Sequence, residues 1–263
     1  MLVFNHLGKL GRLGNQMFQY ASLRGIAANR GYDFGIPPSN FVDIWSDHQL
    51  FEVFELSHLP RNNVKFLDRG YAPVAKEVTF GFDEHLFNQC PNDISIFGFF
   101  QTEKYFERIK SSIEEDFTFR PHILSPCKEM ISSLDKPISL HVRRTDYLTN
   151  PNHTALDLNY YEQALEKFDP DQTVIVFSDD PDWCNEQELF TSDRFLISEN
   201  KDNTIDLCLM TLCSGHIIAN SSFSWWGAWL ANSKKVIAPS KWFGPGNADK
   251  SLEDLIPKRW EVI

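Results

Sequence analysis

The chain has 263 residues, 42% of them hydrophobic, enough for two modest domains or one large one with a buried core. A formal charge of −11 argues against nucleic acid and anionic lipid, because phosphate-backbone binding is driven by Lys and Arg. No window reaches the ~18 uninterrupted apolar residues of a membrane span.

The chain opens MLVFNHLG, without the basic start and long apolar run of a secretory signal, so a cytoplasmic location is expected and peripheral membrane association stays open. A short apolar strand over residues 2–5 runs into GKLGRLG, residues 8–14, and then into a helix expected over 15–29 with Gly31 as its C-cap. The spacing G-x-x-G-x-x-G is neither the dinucleotide fingerprint nor the P-loop. Alone, the loop reads as turn chemistry at positive φ or as a backbone cradle for a phosphate. Residues 37–100 are rich in phenylalanine and weakly periodic, and irregular α/β structure is expected there. The prolines and polar residues of 121–136 mark a boundary, placed at 130, giving domains 1–130 and 131–263.

The second half alternates with more clarity. Strands are expected over 137–142, 173–178, 194–197, 216–219 and 235–238, and helices over 159–168, 181–190, 204–213 and 223–231. Apolar strands alternating with helices imply a parallel sheet covered on both faces, a Rossmann-like arrangement. The expected fold is therefore α/β, with two Rossmann-like domains facing a cleft.

Three of these strands run directly into polar clusters: Arg143, Arg144, Thr145 and Asp146; then Ser178, Asp179 and Asp180; then Asn220, Ser221, Ser222 and Ser224. In an open parallel sheet all carboxyl ends share one edge, and ligands bind outside it. The paired arginines match phosphate oxygens, and their charge does not titrate away. The serines and the amides opening the helix at Phe223 form a second anion site. Asp179 or Asp180 offers acceptors suited to a guanine edge. Together these groups fit a nucleoside diphosphate.

Blander readings stand beside these. Arg143 and Arg144 can form surface ion pairs with Asp146, and Asp180 can cap the helix opening at Pro181. Ser221 or Ser222 is an N-cap in either case. Trp225, Trp226 and Trp229, at helical spacing, read as core, and Asp206, in a capping-box-like NTID, reads as a helix-start residue. His141 is either a buried, hydrogen-bonded strand residue or a ligand contact. Asp169 to Asp171 (DPD) sits in a helix-to-strand turn, where turn chemistry outranks metal binding. The five cysteines include no C-x-x-C pair and read as buried free thiols.

HVRRTD (141–146) resembles the H-x-R-R-x-D signature of α1,2-, α1,6- and protein-O-fucosyltransferases. GRLGNQMFQYA (11–21), FSDD (177–180) and NSSFSWWGAWL (220–230) are similar to segments of the α1,2-fucosyltransferases of glycosyltransferase family 11. The resemblance implies a GT-B-type fold and inverting transfer of L-fucose from GDP-β-L-fucose to the 2-hydroxyl of a β-galactosyl residue of a glycan. It also implies no metal and no cofactor. Arg143 would hold the diphosphate, His141 and Asp179 the guanosine end, and Gly14, Asn15 and Gln16 the phosphates and fucose. The residues placed nearest the reaction are Arg143, Asp146 and Asn15, with Asp146 as much an orienter of arginine as a proton acceptor. Other linkages or a protein acceptor remain open, as do two rivals from different classes. A nicotinamide enzyme would need a G-x-G-x-x-G that is absent, and a non-catalytic glycan-binding module would not need the paired arginines.

Overall fold

The computed structural model describes residues 1–39, 48–60, 64 and 72–263; the rest of the irregular stretch expected at 37–100 lies outside the described residues. The chain divides into two compact units, Met1–Arg120 with Ser251–Pro257, and Pro121–Lys250 with Lys258–Ile263.

In the first unit, strands β1 (Leu2–Val3), β2 (Phe34–Gly35), β3 (Val74–Lys76) and β4 (Ile94–Phe97) form a parallel sheet in the order β2-β1-β4-β3. Helix α1 (Leu13–Arg30) begins before the expected residue 15 and ends at Gly31, whose φ of 66° is the left-handed C-cap conformation. Only a glycine fits at position 25 of this helix: a Cβ there would lie 1.8 Å from the Tyr105 carbonyl oxygen. Short helices α2 (Leu50–Val53), α3 (Glu84–Gln89) and α4 (Lys110–Asp116) complete the unit. α4 ends on the fully buried Asp116, which pairs with Arg24 and accepts from the Tyr20 hydroxyl (2.8 Å).

The second unit holds α5 (Pro121–Ile131), β5 (Ile138–Val142), α6 (Leu158–Leu165), β6 (Val174–Ser178) and α7 (Pro181–Asn185). They are followed by β7 (Phe195–Ile197), α8 (Asn203–Thr211), β8 (Gly215–Ile217), α9 (Ser222–Ala231), β9 (Val236–Ala238) and β10 (Glu261–Val262). The six strands are parallel in the order β10-β9-β8-β5-β6-β7. β5 is buried along its whole length, as the middle of a sheet covered on both faces requires. Trp225, Trp226 and Trp229 of α9 are core residues, as expected, and Gly227 lets α9 approach α8, where an added Cβ would lie 2.8 Å from Cβ of Met210. All five cysteines are free and buried.

Several elements differ from expectation. α7 stops at Asn185 rather than 190: Gln187 turns extended (φ −88°, ψ 128°) while its side-chain amide donates to the Trp183 carbonyl (2.8 Å). β8 ends at Ile217, short of the expected 219, because the Ala219 carbonyl closes a tight turn with the Ser221 N–H (2.7 Å). Asp206 lies in the first turn of α8, as expected, but is not part of its cap. Asp202 is the cap, accepting from Thr204 N–H, while Asp206 is buried and accepts from Ser198 Oγ (2.6 Å) and Asn200 Nδ2 (3.0 Å). A division of the chain at 130 would cut α5, whose Cys127 thiol donates to the Ile205 carbonyl (3.7 Å) within the second unit.

Candidate functional site

The sheet order of the second unit fixes where a ligand can bind. From β5 the chain winds outward to β6 and β7, then returns to the other side of β5 for β8 and β9. The switch point lies between β5 and β8, and the loops leaving their carboxyl ends diverge into a crevice. Those loops are Arg143–Asp146 after β5 and Asn220–Ser221 before α9.

The arginine loop is tied together by carboxylates. Arg143 Nη1 is 3.0 Å from Asp179 Oδ2, and its Nη2 donates to Asp146 Oδ1. Asp179 also accepts from the Arg144 backbone N–H (2.9 Å) and from the Thr145 hydroxyl, so both of its oxygens are engaged. Arg144 Nε is 3.2 Å from Asp180 Oδ2, and its guanidinium lies 3.8 Å from the centre of the Trp183 ring, a cation–π contact. Asp180 caps α7 as expected, accepting from Trp183 N–H, and its own N–H donates to Ser178 Oγ (3.0 Å). The ion pairing considered from sequence is thus present, and the carboxylates fix the orientation of both guanidinium groups.

Across the switch point, Ser221 is the N-cap of α9, accepting from Phe223 N–H (3.3 Å), and no acidic residue occupies the first turn. Ser222 and Phe223 are half-buried at this opening, which carries the positive end of the helix dipole. Asn220 is buried. Its amide donates to the Thr154 carbonyl (2.8 Å) and the Trp242 carbonyl (2.9 Å), leaving Oδ1 buried without a partner among the described residues. His141 is buried, and its Nδ1 is 2.8 Å from Ser224 Oγ, linking β5 to α9. Desolvation, with the nearby Arg143 charge, drops its pKa to about 3, so the ring is neutral.

Sequence reasoning singled out Arg143, Arg144, Asp146, Ser178, Asp179, Asp180, His141 and Asn220 to Ser224, and the structure brings them to one sheet edge. Thr145, part of the same polar cluster, bonds Asp179. Three neighbours were missed: Trp183 stacks on Arg144, and Tyr147 and His153 stack on each other (centroids 4.2 Å, planes 7° apart). Tyr147 and Trp183 were within reach, since each lies a few residues beyond an assigned charge.

Gly14, Asn15 and Gln16 belong to the first unit. Gly8 and Gly11 have left-handed φ of 87° and 86°, the turn chemistry considered from sequence, whereas Gly14 lies inside α1. Asn15 Oδ1 accepts from Gln101 Nε2 (2.6 Å). Gln16 is buried and its Oε1 accepts from Gln49 N–H (3.0 Å), so it supports the fold of its own unit. The start of α1 has neither a side-chain cap nor an acidic residue in its first turn. Asp171 N–H donates to Asp169 Oδ1 (3.0 Å), the expected turn. Among the described residues no group of three or more His, Cys, Asp or Glu is placed to hold a metal ion. Nor is any described helix long and apolar enough to cross a membrane.

Two units built on parallel sheets, the second with an arginine loop and an open helix start on either side of its switch point, fit a GT-B-type fold. The family model of glycosyl transferase family 11 matches residues 4–261, and the chain belongs to that family. It is 30% identical to the O-antigen biosynthesis glycosyltransferase WbnK of Escherichia coli, with 93% of this chain and 96% of the relative aligned. It is equally 30% identical to an Escherichia coli α-1,2-colitosyltransferase, covering 96% of each chain. With galactoside α-(1,2)-fucosyltransferase 1 of Bos taurus it shares 28% identity over 86% of this chain and 66% of the relative. Among solved structures, the NodZ α-1,6-fucosyltransferase soaked with GDP-fucose superposes with a TM-score of 0.56 at 14% identity, covering 91% of this chain and 94% of that one.

Proposed function

We propose that this protein transfers L-fucose from GDP-β-L-fucose, with inversion, to the 2-hydroxyl of a β-galactosyl residue of a glycan. The observation that carries this reading is the pairing of the Arg143–Arg144 loop with the N-terminal turn of α9 across the β5/β8 switch point. Two forks and a helix start match the two phosphates of a nucleoside diphosphate. As the glycosidic bond to the donor breaks, GDP gains negative charge, and fixed cations aimed at that charge lower the barrier; one such donor is worth roughly 3–4 kcal/mol.

In this reading the second unit is the GDP-fucose-binding domain and the first the acceptor-side domain. Arg143 holds the diphosphate and Arg144 supports it from the Trp183 stack. Ser221, Ser222 and Phe223 supply helix-start donors. Asp179 orients both arginines, and Asp146 orients Arg143. His141 with Ser224, and Asn220, fix the relation of β5 to α9 under the nucleotide. Asn15 acts in the reaction, and Gly14 and Gln16 flank it in the first turn of α1. With arginine forks and helix amides in place, the transfer proceeds without a divalent cation.

The relative that transfers colitose supports a second reading, in which the donor carries colitose, the 3-deoxy counterpart of fucose. Incubation with GDP-fucose or GDP-colitose and a panel of β-galactosyl acceptors, followed by linkage analysis, separates the two. An α1,2-fucosylated product supports the first reading; turnover of GDP-colitose alone replaces it with the second.

A further inference from the structure

Tyr147 stands between the two anion-binding elements. The Arg143 guanidinium carbon lies 5.2 Å from the centre of its ring, within cation–π range. Its hydroxyl donates to the Asn220 carbonyl (3.2 Å), one residue before the cap of α9. The ring therefore spans the switch point. One end meets the side chain that leaves β5, and the other holds the turn that opens the helix after β8.

The ring is held in turn by His153. The two planes are nearly parallel, 7° apart at 4.2 Å. His153 sits in a backbone brace, bridged antiparallel to Phe243, and the next residue's carbonyl, that of Thr154, accepts from the Asn220 amide. Glycines let this brace close: a Cβ on Gly244 would lie 2.5 Å from the Pro151 carbonyl oxygen and 2.6 Å from that of His153. His153 Nδ1 is buried and makes no hydrogen bond among the described residues, so the imidazole acts here through its plane. The charged groups facing it are Asp146, Arg143 and Lys250. Burial is the largest influence and disfavours the imidazolium, as do the two cations, while Asp146 opposes them.

We propose that Tyr147, clamped by His153, is a positioning residue for transfer: it sets the distance between the Arg143 fork and the first turn of α9, and so the fit of a diphosphate between them. This deepens the donor reading above and rests on it. Tyr147 touches no reacting atom in this account. Its effect reaches the donor through Arg143 and through the Asn220–Ser221 turn.

The test is GDP titration by calorimetry on the full chain, with thermal unfolding of each variant and donor KM and kcat measured alongside. Tyr147→Leu is expected to weaken GDP binding about tenfold and Tyr147→Phe, which loses only the hydroxyl bond, about threefold. His153→Ala is expected to lose about fivefold, and His153→Phe, which restores a stacking plane, to return to within about twofold of the unmodified protein. The loss appears in donor KM more than in kcat. A purely structural role predicts lower unfolding temperatures with GDP affinity unchanged. A folded Tyr147→Leu that binds GDP like the unmodified protein overturns the proposal, as does His153→Phe binding as weakly as His153→Ala. If Tyr147→Leu does not fold, Tyr147→Phe and the His153 pair decide on the same criteria. Failure of the unmodified protein to bind GDP is a different result: it removes the donor reading, and this inference with it.

Discussion

Replacement of Arg143 probes the electrostatic core of the site. Its guanidinium spans two carboxylates, Asp146 and Asp179, and is largely buried, with 14% of its side chain exposed. Arg143→Ala removes a positive charge and leaves those two acids facing the bound nucleotide. A unit charge at about 4 Å in an effective dielectric of ~20 is worth about 4 kcal/mol. Truncating one partner of a buried, hydrogen-bonded charge pair costs about 2–5 kcal/mol at interfaces. Release of the acids to water and rehydration of the phosphates return part of this, so a net loss of about 3 kcal/mol, about a hundredfold in GDP affinity, is expected. Arg143→Lys keeps the charge but cannot reach both acids in one plane, and should lose about tenfold. Calorimetric titration with GDP measures both, and a donor-saturated transfer assay should show Arg143→Ala inactive. Arg143→Ala binding GDP within twofold of the unmodified protein would refute the assignment.

Asp146→Asn removes a partner that aims Arg143, so GDP should bind about threefold more weakly; unchanged or tighter GDP binding would count against the orienting role. Full transfer activity is expected in excess EDTA, and a loss restored by Mn²⁺ would overturn the metal-independent mechanism. The neutral, buried His141 and His216, with pKa values near 3 and 4, bind protons less readily than the ~6.5 of a free imidazole. Between pH 6.5 and 4 the unfolded chain therefore holds more protons than the folded one. Stability should fall with falling pH across that window, by at most about 3 kcal/mol per pH unit, and a flat urea-unfolding profile from pH 7 to about 4.5 would contradict this. Asp116→Ala, which strips the partner from Arg24 and Tyr20 in the first unit, should destabilise by about 3–5 kcal/mol in denaturant unfolding; a shift below about 1 kcal/mol would contradict the buried network.

The second unit was readable because its strands are short apolar runs bounded by polar clusters. A parallel sheet also sends every such cluster to the same edge, so position in sequence converts directly to position in space. What the sequence left hidden depends on side-chain partners. That Asp179 grips Thr145 and both arginines follows from the β5–β6 register, which sets Val142 beside Ser178. No spacing rule carries that pairing. Asp206 read as the acidic partner of a capping box because NTID fits the pattern, yet the cap is Asp202, the residue before that segment, and Asp206 bonds Ser198 and Asn200 instead. Tyr147 was passed over because a single aromatic beyond a charged motif has no periodicity. In the first unit the strand expected over 2–5 is present as β1, but β3 and β4 fall in the phenylalanine-rich stretch, where three- and four-residue strands carry too little alternation to announce themselves.

The carboxylates that hold Arg143 and Arg144 also decide what the crevice will ignore. Each guanidinium already has an internal counter-ion, so an incoming anion gains only the difference between its own contacts and those it displaces. Chloride or free phosphate, meeting one fork at a time, gains little from that exchange, whereas a ligand that satisfies both forks and the α9 opening together gains at every point. In the proposed donor reading, selectivity among anions, and a response to ionic strength shallower than two exposed arginines would give, follow from these internal ion pairs.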